Sequence, residues 1–318
     1  MRIDVLALDG VFDLGLSAVL DAFQTANELG EMTGAEAPRF EVRVVGVRKA
    51  VRTSQGLRVP VQAIDARPRD CVIVPAIGYK MPAPLEAALE RPDVADAAAA
   101  LRKWARRDMT LAAACIGTFV MAESGLLDGQ RATTTWWLAP LFRQRYPHVS
   151  LDESSMIVPS GRFVTAGAAL SHMDLALWLV RRASPQLASL TAKYLIVDSR
   201  PSQSAYALAD HLVHDDPIVQ RFEQWARARL RHGFSLDEAA RAAGASKRTL
   251  ARRTKAVLGR SPLEYFQGLR VERAVHLLKT GNASVDEVAA RVGYSDGATL
   301  RTLLGRQLGR GVKDIRRG

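Results

Sequence analysis

The sequence predicts two units of different fold class. The first is α/β, with a mostly parallel sheet sandwiched by helices, and the second is all-α with two helix-turn-helix motifs. Three observations predict this: strand-length apolar runs alternate with helix-period stretches early in the chain, one helix-turn-helix pattern is written twice in its last third, and the basic excess sits on that same third. At 318 residues, 48% of them apolar, the chain is long enough for two cores. Its formal charge is +11, yet residues 221–318 hold 21 Lys and Arg against 9 Asp and Glu, a net of +12 that leaves −1 for residues 1–220. That partition predicts a polyanionic partner for the second unit and a neutral or small one for the first.

Residues 3–8 predict a buried strand and 14–29 the helix that follows it. The runs 40–47 and 71–74 are again of strand length, with a short extended segment near 57–61 between them. Residues 92–107 predict a helix, 110–114 a strand and 116–123 a helix. Strands alternating with helices give a mostly parallel sheet, and such sheets hold ligands at the C-terminal ends of their strands. Three stretches fall there and are expected to converge: Asp9 to Asp13, Pro75 to Gly78, and Cys115-Ile116-Gly117. Helices over 174–182, 187–197 and 206–230 close the first unit and lead to the second, and 199–206 breaks the periodicity as a loop. The expected division is 1–215 and 216–318.

Leu111-Ala-Ala-Ala-Cys115-Ile116-Gly117 sets a thiol between an apolar strand and a helix, flanked by small residues, which is how a nucleophile elbow is built. A helix N-terminus lowers a thiol pKa, and its N–H groups can hold an oxyanion or a carboxylate. The same geometry serves as the floor of a ligand pocket, and a small buried Cys also packs well on a tight turn. Cys71 and Cys115 are the two cysteines, without metal-ligand spacing, so neither a disulfide framework nor a zinc site is expected. No cofactor or metal is predicted. The charged N-terminus and the lack of an apolar run of spanning length predict no membrane partner and a cytoplasmic location.

In the last third, Ser235-Leu-Asp-Glu-Ala-Ala-Arg-Ala-Ala-Gly244-Ala-Ser246 returns as Ser284-Val-Asp-Glu-Val-Ala-Ala-Arg-Val-Gly293-Tyr-Ser295, an offset of 49. After one inserted residue the offset is 50, pairing Thr249-Leu250 with Thr299-Leu300 and Leu258-Gly-Arg260 with Leu308-Gly-Arg310. Each copy predicts a Ser-capped helix with acids in its first turn, a sharp turn at Gly244 or Gly293, and a second helix capped by Ser246 or Ser295. Between them residues 262–279 predict a rod of roughly 27 Å, bounded by Ser261-Pro262 and Gly281. Such a rod can set two readers in adjacent major grooves, which are about 34 Å apart.

The twin motif resembles the paired domain of AraC/XylS-type transcription regulators, through the first turn, Gly259 to Tyr265, Arg270-Val-Glu-Arg-Ala, and Val288 to Asp296. It departs late in the second copy, with Leu300 or Leu303 where an aromatic is common and Val312 where Pro is usual. The elbow, with Gly125 to Gly129, Arg131-Ala-Thr-Thr-Thr135-Trp136 and Val164 to Gly167, resembles the PfpI-like branch of the class I glutamine-amidotransferase superfamily, whose sheet is flavodoxin-like. The fusion of the two resembles the GlxA-like regulators over nearly the whole chain.

Catalytic relatives need a His where this chain has Thr135, and a threonine hydroxyl is no base near neutral pH. His148 and His172 stand elsewhere, as replacements or as surface or satisfied histidines. By the resemblance, Asp13 or Asp21 is a candidate for the acid that relatives place beside the Cys, and either is otherwise a helix-cap or surface charge. The resemblance implies a regulator that binds double-stranded operator DNA and senses a small molecule, amino-acid-like or a quaternary amine, as a homodimer. Ligand contacts are expected from Asp13, Gly78, Cys115, Ile116 and Thr135. The alternative is a hydrolase or amidase with Cys115 as nucleophile.

DNA contacts are expected from Ser246, Lys247, Arg248, Arg252, Arg253 and Lys255 in the first copy, where Arg248, Arg252 and Lys255 share a helix face. The second copy offers Ser295, Asp296, Thr299, Arg301 and Arg306, with fewer positive charges. Arginine can bind guanine bidentately, and the remaining cations grip phosphate.

Overall fold

Alternation along the central strands assigns each side chain to one of two cores. In β1 (Arg2–Leu6) Ile3 and Val5 point to one face and Leu6 to the other. The computed structural model describes all residues except 66–68, 106–108, 199, 201, 204–213, 309–310 and 318, and it forms two compact units, Met1–Gln203 and Ser204–Gly318.

In the first unit β1 is followed by α1 (Asp13–Thr33), β2 (Glu41–Gly46), the antiparallel pair β3 (Ala50–Arg52) and β4 (Arg58–Pro60), and β5 (Gln62–Ala63). Next come β6 (Cys71–Val74), α2 (Pro82–Leu89), α3 (Pro92–Trp104), β7 (Thr110–Ala114) and α4 (Gly117–Ala122). Then follow β8 (Arg131–Ala132), α5 (Ala139–Arg145), β9 (Ser150–Leu151), the hairpin β10 (Ile157–Ser160) and β11 (Phe163–Ala166), α6 (Ser171–Ala183) and α7 (Pro185–Tyr194). The main sheet runs β10-β11-β7-β6-β1-β2-β5, parallel except at β10. Ile3, Val5, Cys71, Ile73, Ala112 and Ala114 pack under α1, α6 and α7, while Leu6, Val72, Val74, Leu111 and Ala113 meet the core of α2 to α5.

Asp4 departs from the apolar pattern of β1. It is 2% exposed, and it accepts from Arg43 Nε and Arg69 Nε, each at 2.7 Å, with Asp65 bonded to both guanidinium groups. A buried carboxylate survives there because two charge-assisted pairs replace water.

The second unit is helical: α8 (Pro217–Ala228), α9 (Leu236–Ala242), α10 (Lys247–Leu258), α11 (Pro262–Thr280), α12 (Val285–Arg291), α13 (Gly297–Leu308) and α14 (Val312–Arg317). Ser261 and Glu264 form a reciprocal capping box that starts α11, and its 19 residues give a rod of about 28 Å. The helix expected over 206–230 is seen as α8, started by Asp216 and Pro217, and residues 206–213 lie outside the described set. So does most of the expected loop at 199–206, along with Gly309 and Arg310 of the repeat.

One expected cap is corrected. Ser246 does cap α10 by accepting from Thr249 N, but α13 is capped by Asp296, whose Oδ1 accepts from Thr299 N at 2.7 Å. Ser295 instead donates its hydroxyl to Asp296 Oδ2. The inserted residue explains the shift, since an offset of 50 carries Ser246 onto position 296.

Candidate functional site

The three expected strand ends pack together. Gly78 N donates to Gly10 O at 2.7 Å and Phe12 N to Ala76 O at 2.8 Å, which ties the turn after β1 to the turn after β6. Gly117 starts α4 against that second turn. A Cβ on it would lie 2.2 Å from Val74 O and 2.8 Å from Pro75 O, so no side chain fits.

Cys115 has φ 57°, in the left-handed region that a non-glycine residue rarely adopts, and the strand turns sharply there into α4. Its N–H donates to Ala166 O at 2.9 Å, and its carbonyl accepts from Thr134 Oγ1 at 2.7 Å. Both backbone groups are thereby held by β11 and by the segment after β8. The thiol is buried, and burial pushes its pKa up to about 12 against the opposing pull of the Ile116 N–H and the Thr135 hydroxyl. The helix-terminus lowering expected for this thiol is therefore overridden by desolvation. Thr135 is also fully buried, and its Oγ1 has no hydrogen-bond partner within ordinary distance among the described residues.

His172 is engaged at both ring nitrogens. Nε2 accepts from Ala76 N at 3.0 Å and Nδ1 meets Ala169 O at 2.6 Å, which fixes a neutral ring with its proton on Nδ1. Burial lowers its pKa to about 4, only partly countered by the bond to Ala169. The ring holds the turn after β6 in place and has no free lone pair for a substrate. His148 is exposed.

Asp13 is the first residue of α1 and turns toward the loop after β3. Its Oδ2 accepts from Ser54 Oγ at 2.7 Å and Gln55 N at 3.1 Å. Slight desolvation raises its pKa, but bonds from Thr53, Ser54 and Gln55 hold it below the usual carboxylate value. Asp21 lies exposed along α1.

Gln203 escaped the sequence reading. Fully buried, it donates from Nε2 to Thr133 Oγ1 at 3.1 Å and to Thr134 O at 2.9 Å, so the last residue of the first unit is bonded to the strip that holds Cys115. Nothing in its sequence neighbourhood signals this. An open cavity of about 740 Å³ lies elsewhere in the unit, between β10, α6 and α7, with Trp178, Asp174 and Arg200 in its wall.

In the second unit the buried face of α10 carries Leu250, Thr254 and Leu258. Arg248, Arg252 and Lys255 are exposed. Three of the five basic side chains are occupied: Lys247 pairs with Asp237 at 2.7 Å, Arg253 pairs with Asp216, and Lys255 Nζ donates to Gly259 O at 2.8 Å. Arg248 and Arg252 have no such partner among the described residues. On α13, Leu300 and Leu304 are buried, while Thr299, Arg301, Thr302 and Arg306 are exposed. Asp296 is engaged as the cap of that helix, and bonds from Thr299 and Ser295 hold its carboxyl below the usual value.

Residues 1–182 match the DJ-1/PfpI family, and 239–318 match a helix-turn-helix domain family. The HTH-type transcriptional regulator GbdR of Pseudomonas aeruginosa is 27% identical over 299 residues, 92% of this chain and 77% of that protein. The HTH-type transcriptional regulator GlxA of Rhizobium meliloti is 24% identical over 257 residues, 78% of this chain and 76% of its own length. A crystal structure of an AraC family transcriptional regulator from Pseudomonas putida superposes with a TM-score of 0.51 at 21% identity, covering 61% of this chain and 98% of that one, which supports the α/β fold. The described residues contain no helix long and apolar enough to cross a membrane. With its elbow fold in front and its twin motif behind, the chain belongs to the DJ-1/PfpI family, among the transcription regulators that carry an AraC-type helix-turn-helix domain.

Proposed function

We propose that this regulator reads operator DNA through Arg248, Arg252 and the exposed face of α13, and senses a small molecule at the Cys115 elbow without turning it over. The observation that carries the reading is an elbow without a base: Thr135 stands beside the thiol, and His172 is closed at both nitrogens. What the elbow keeps is backbone geometry at a strand-to-helix turn, suited to a carboxylate or carbonyl oxygen. Ile116, Thr135, Gly78 and Asp13 complete the proposed pocket, and the ligand is amino-acid-like or a quaternary amine. Thr134 bonds both the Cys115 carbonyl and the Gln203 amide, so ligand binding has a bonded route to the end of the first unit. A ligand that favours one of two arrangements then alters DNA occupancy through that difference in affinity. The working form is a cytoplasmic homodimer, divided functionally at residue 215.

Sequencing the DNA retained by the purified protein, with and without candidate metabolites, tests both halves of this reading. Cys115→Ser should keep DNA binding and much of the response, whereas Cys115→Trp should keep DNA binding and lose the response by filling the pocket. A Cys115-dependent turnover of small amides or aldehydes would establish an enzyme instead, and a normal response in Cys115→Trp would place the pocket elsewhere.

A further inference from the structure

We propose that Arg270 is a positioning residue that fixes the angle between α10 and α13, and with it the separation of the two DNA segments that the protein reads; this rests on the DNA-binding reading above. The helix α11 joins two separate cores. Tyr265, Phe266 and Leu269 belong to the first copy, and Val271, Ala274 and Leu278 to the second. Arg270 stands at the changeover, 7% exposed.

Its guanidinium reaches both sides. Nε donates to Leu230 O at 2.9 Å and Nη2 to His232 O, both in the turn between α8 and α9. The same group lies 4.7 Å from the ring centre of Phe266 in the first core and 5.1 Å from that of Tyr294 in the turn of the second copy. That turn is pressed close. A Cβ on Gly293 would lie 2.5 Å from Arg270 Nη2 and 2.6 Å from Leu230 O.

A helix fixes the distance between the cores at its two ends but leaves the rotation of each core to side-chain contacts. Arg270 supplies such a contact to both copies at once, through a planar fork that a lysine ammonium cannot reproduce. Two rings and two carbonyls hold one cation, so the turns of the two copies cannot rotate apart without breaking its contacts. Each copy also keeps its own apolar core, so loosening Arg270 should relax their mutual angle before it unfolds either.

The test uses the full chain. Wild-type protein first enriches its preferred DNA from a random pool, and affinity is then measured on that DNA and on versions with base pairs inserted between the two protected segments. Wild type should lose about tenfold or more on insertion, while Arg270→Lys should bind the parent DNA less tightly and lose less than about threefold on insertion. Footprinting should still show both segments protected in the variant. Tyr294→Leu removes the second-copy ring and leaves the carbonyl bonds, so it should show the same relaxed spacing even if Arg270→Lys does not fold. A wild-type insertion penalty in the variants, or protection of one segment only by wild type, overturns the role of Arg270. Failure to enrich any DNA overturns the DNA-binding reading itself.

Discussion

The two helix-turn-helix copies share a skeleton and differ in what fills and faces it. Both have a seven-residue first helix capped by Ser, a left-handed Gly, and a twelve-residue second helix. The first copy is packed around Phe222, Tyr265 and Phe266, all fully buried, whereas the buried members of the second core are aliphatic, from Val271 to Ile315. The second helix of the first copy carries five basic residues and that of the second copy only Arg301 and Arg306. A repeated pattern thus specifies the turn, while packing and charge are set copy by copy. On the DNA-binding reading proposed above, the first copy would bring most of the positive charge to the duplex and the second a more neutral face.

Hollowing each core should give the largest contrast. Phe266→Ala should cost about 3–5 kcal/mol in denaturant titration and loosen both copies, because α11 serves both. Leu300→Ala, in the smaller side chain, should cost less and speed amide exchange only from α12 onward. Equal costs, or early exchange in α9 and α10 of the Leu300 variant, would remove the asymmetry.

Arg252→Ala comes next. Loss of a bidentate base contact should reduce discrimination by about 1–3 kcal/mol, and loss of a phosphate contact should lower the salt slope by about one. Arg301→Ala should do less on the same DNA. A larger effect at Arg301 would make the second copy the principal reader.

The smallest effect separates the caps by pH. Asp296 is held below its ordinary carboxylate value of 3.8 by Thr299 and Ser295. Its contribution is therefore complete above that value and lost as pH falls through the lower folded one. Between about pH 5 and pH 2 the Thr299 amide resonance should move and its exchange quicken, while the Thr249 amide, held by the Ser246 hydroxyl, should not follow a carboxyl titration. Asp296→Asn should abolish the movement and keep the helix, since both residues cap well.

Much of this architecture was legible in advance, for identifiable reasons. The runs at 71–74 and 111–114 are apolar throughout because β6 and β7 are covered on both faces, and the strands expected at 71–74 and 110–114 coincide with the observed ones. By contrast, α2 was missed, because Pro82-Ala-Pro84 looks like a loop until Pro82 is seen in the first helical turn. The short hairpin β10–β11 was missed for its broken alternation around Pro159. At the candidate site, Cys115 and Thr135 could be named from motif and spacing. The closure of His172 Nε2 by Ala76, the bonds of Gln203 and the reach of Arg270 to Leu230 and Tyr294 each depend on residues far apart in sequence, which no local periodicity encodes.

The burial of the Cys115 sulfur bears on oxidative stress. Peroxide attacks thiolates, and the burial that pushes the Cys115 pKa up leaves little thiolate at neutral pH. The first step toward sulfenic acid is correspondingly starved of reactant. Buried as it is, Cys115 is expected to resist peroxide better than an exposed, low-pKa cysteine would, which mass spectrometry after peroxide treatment would check.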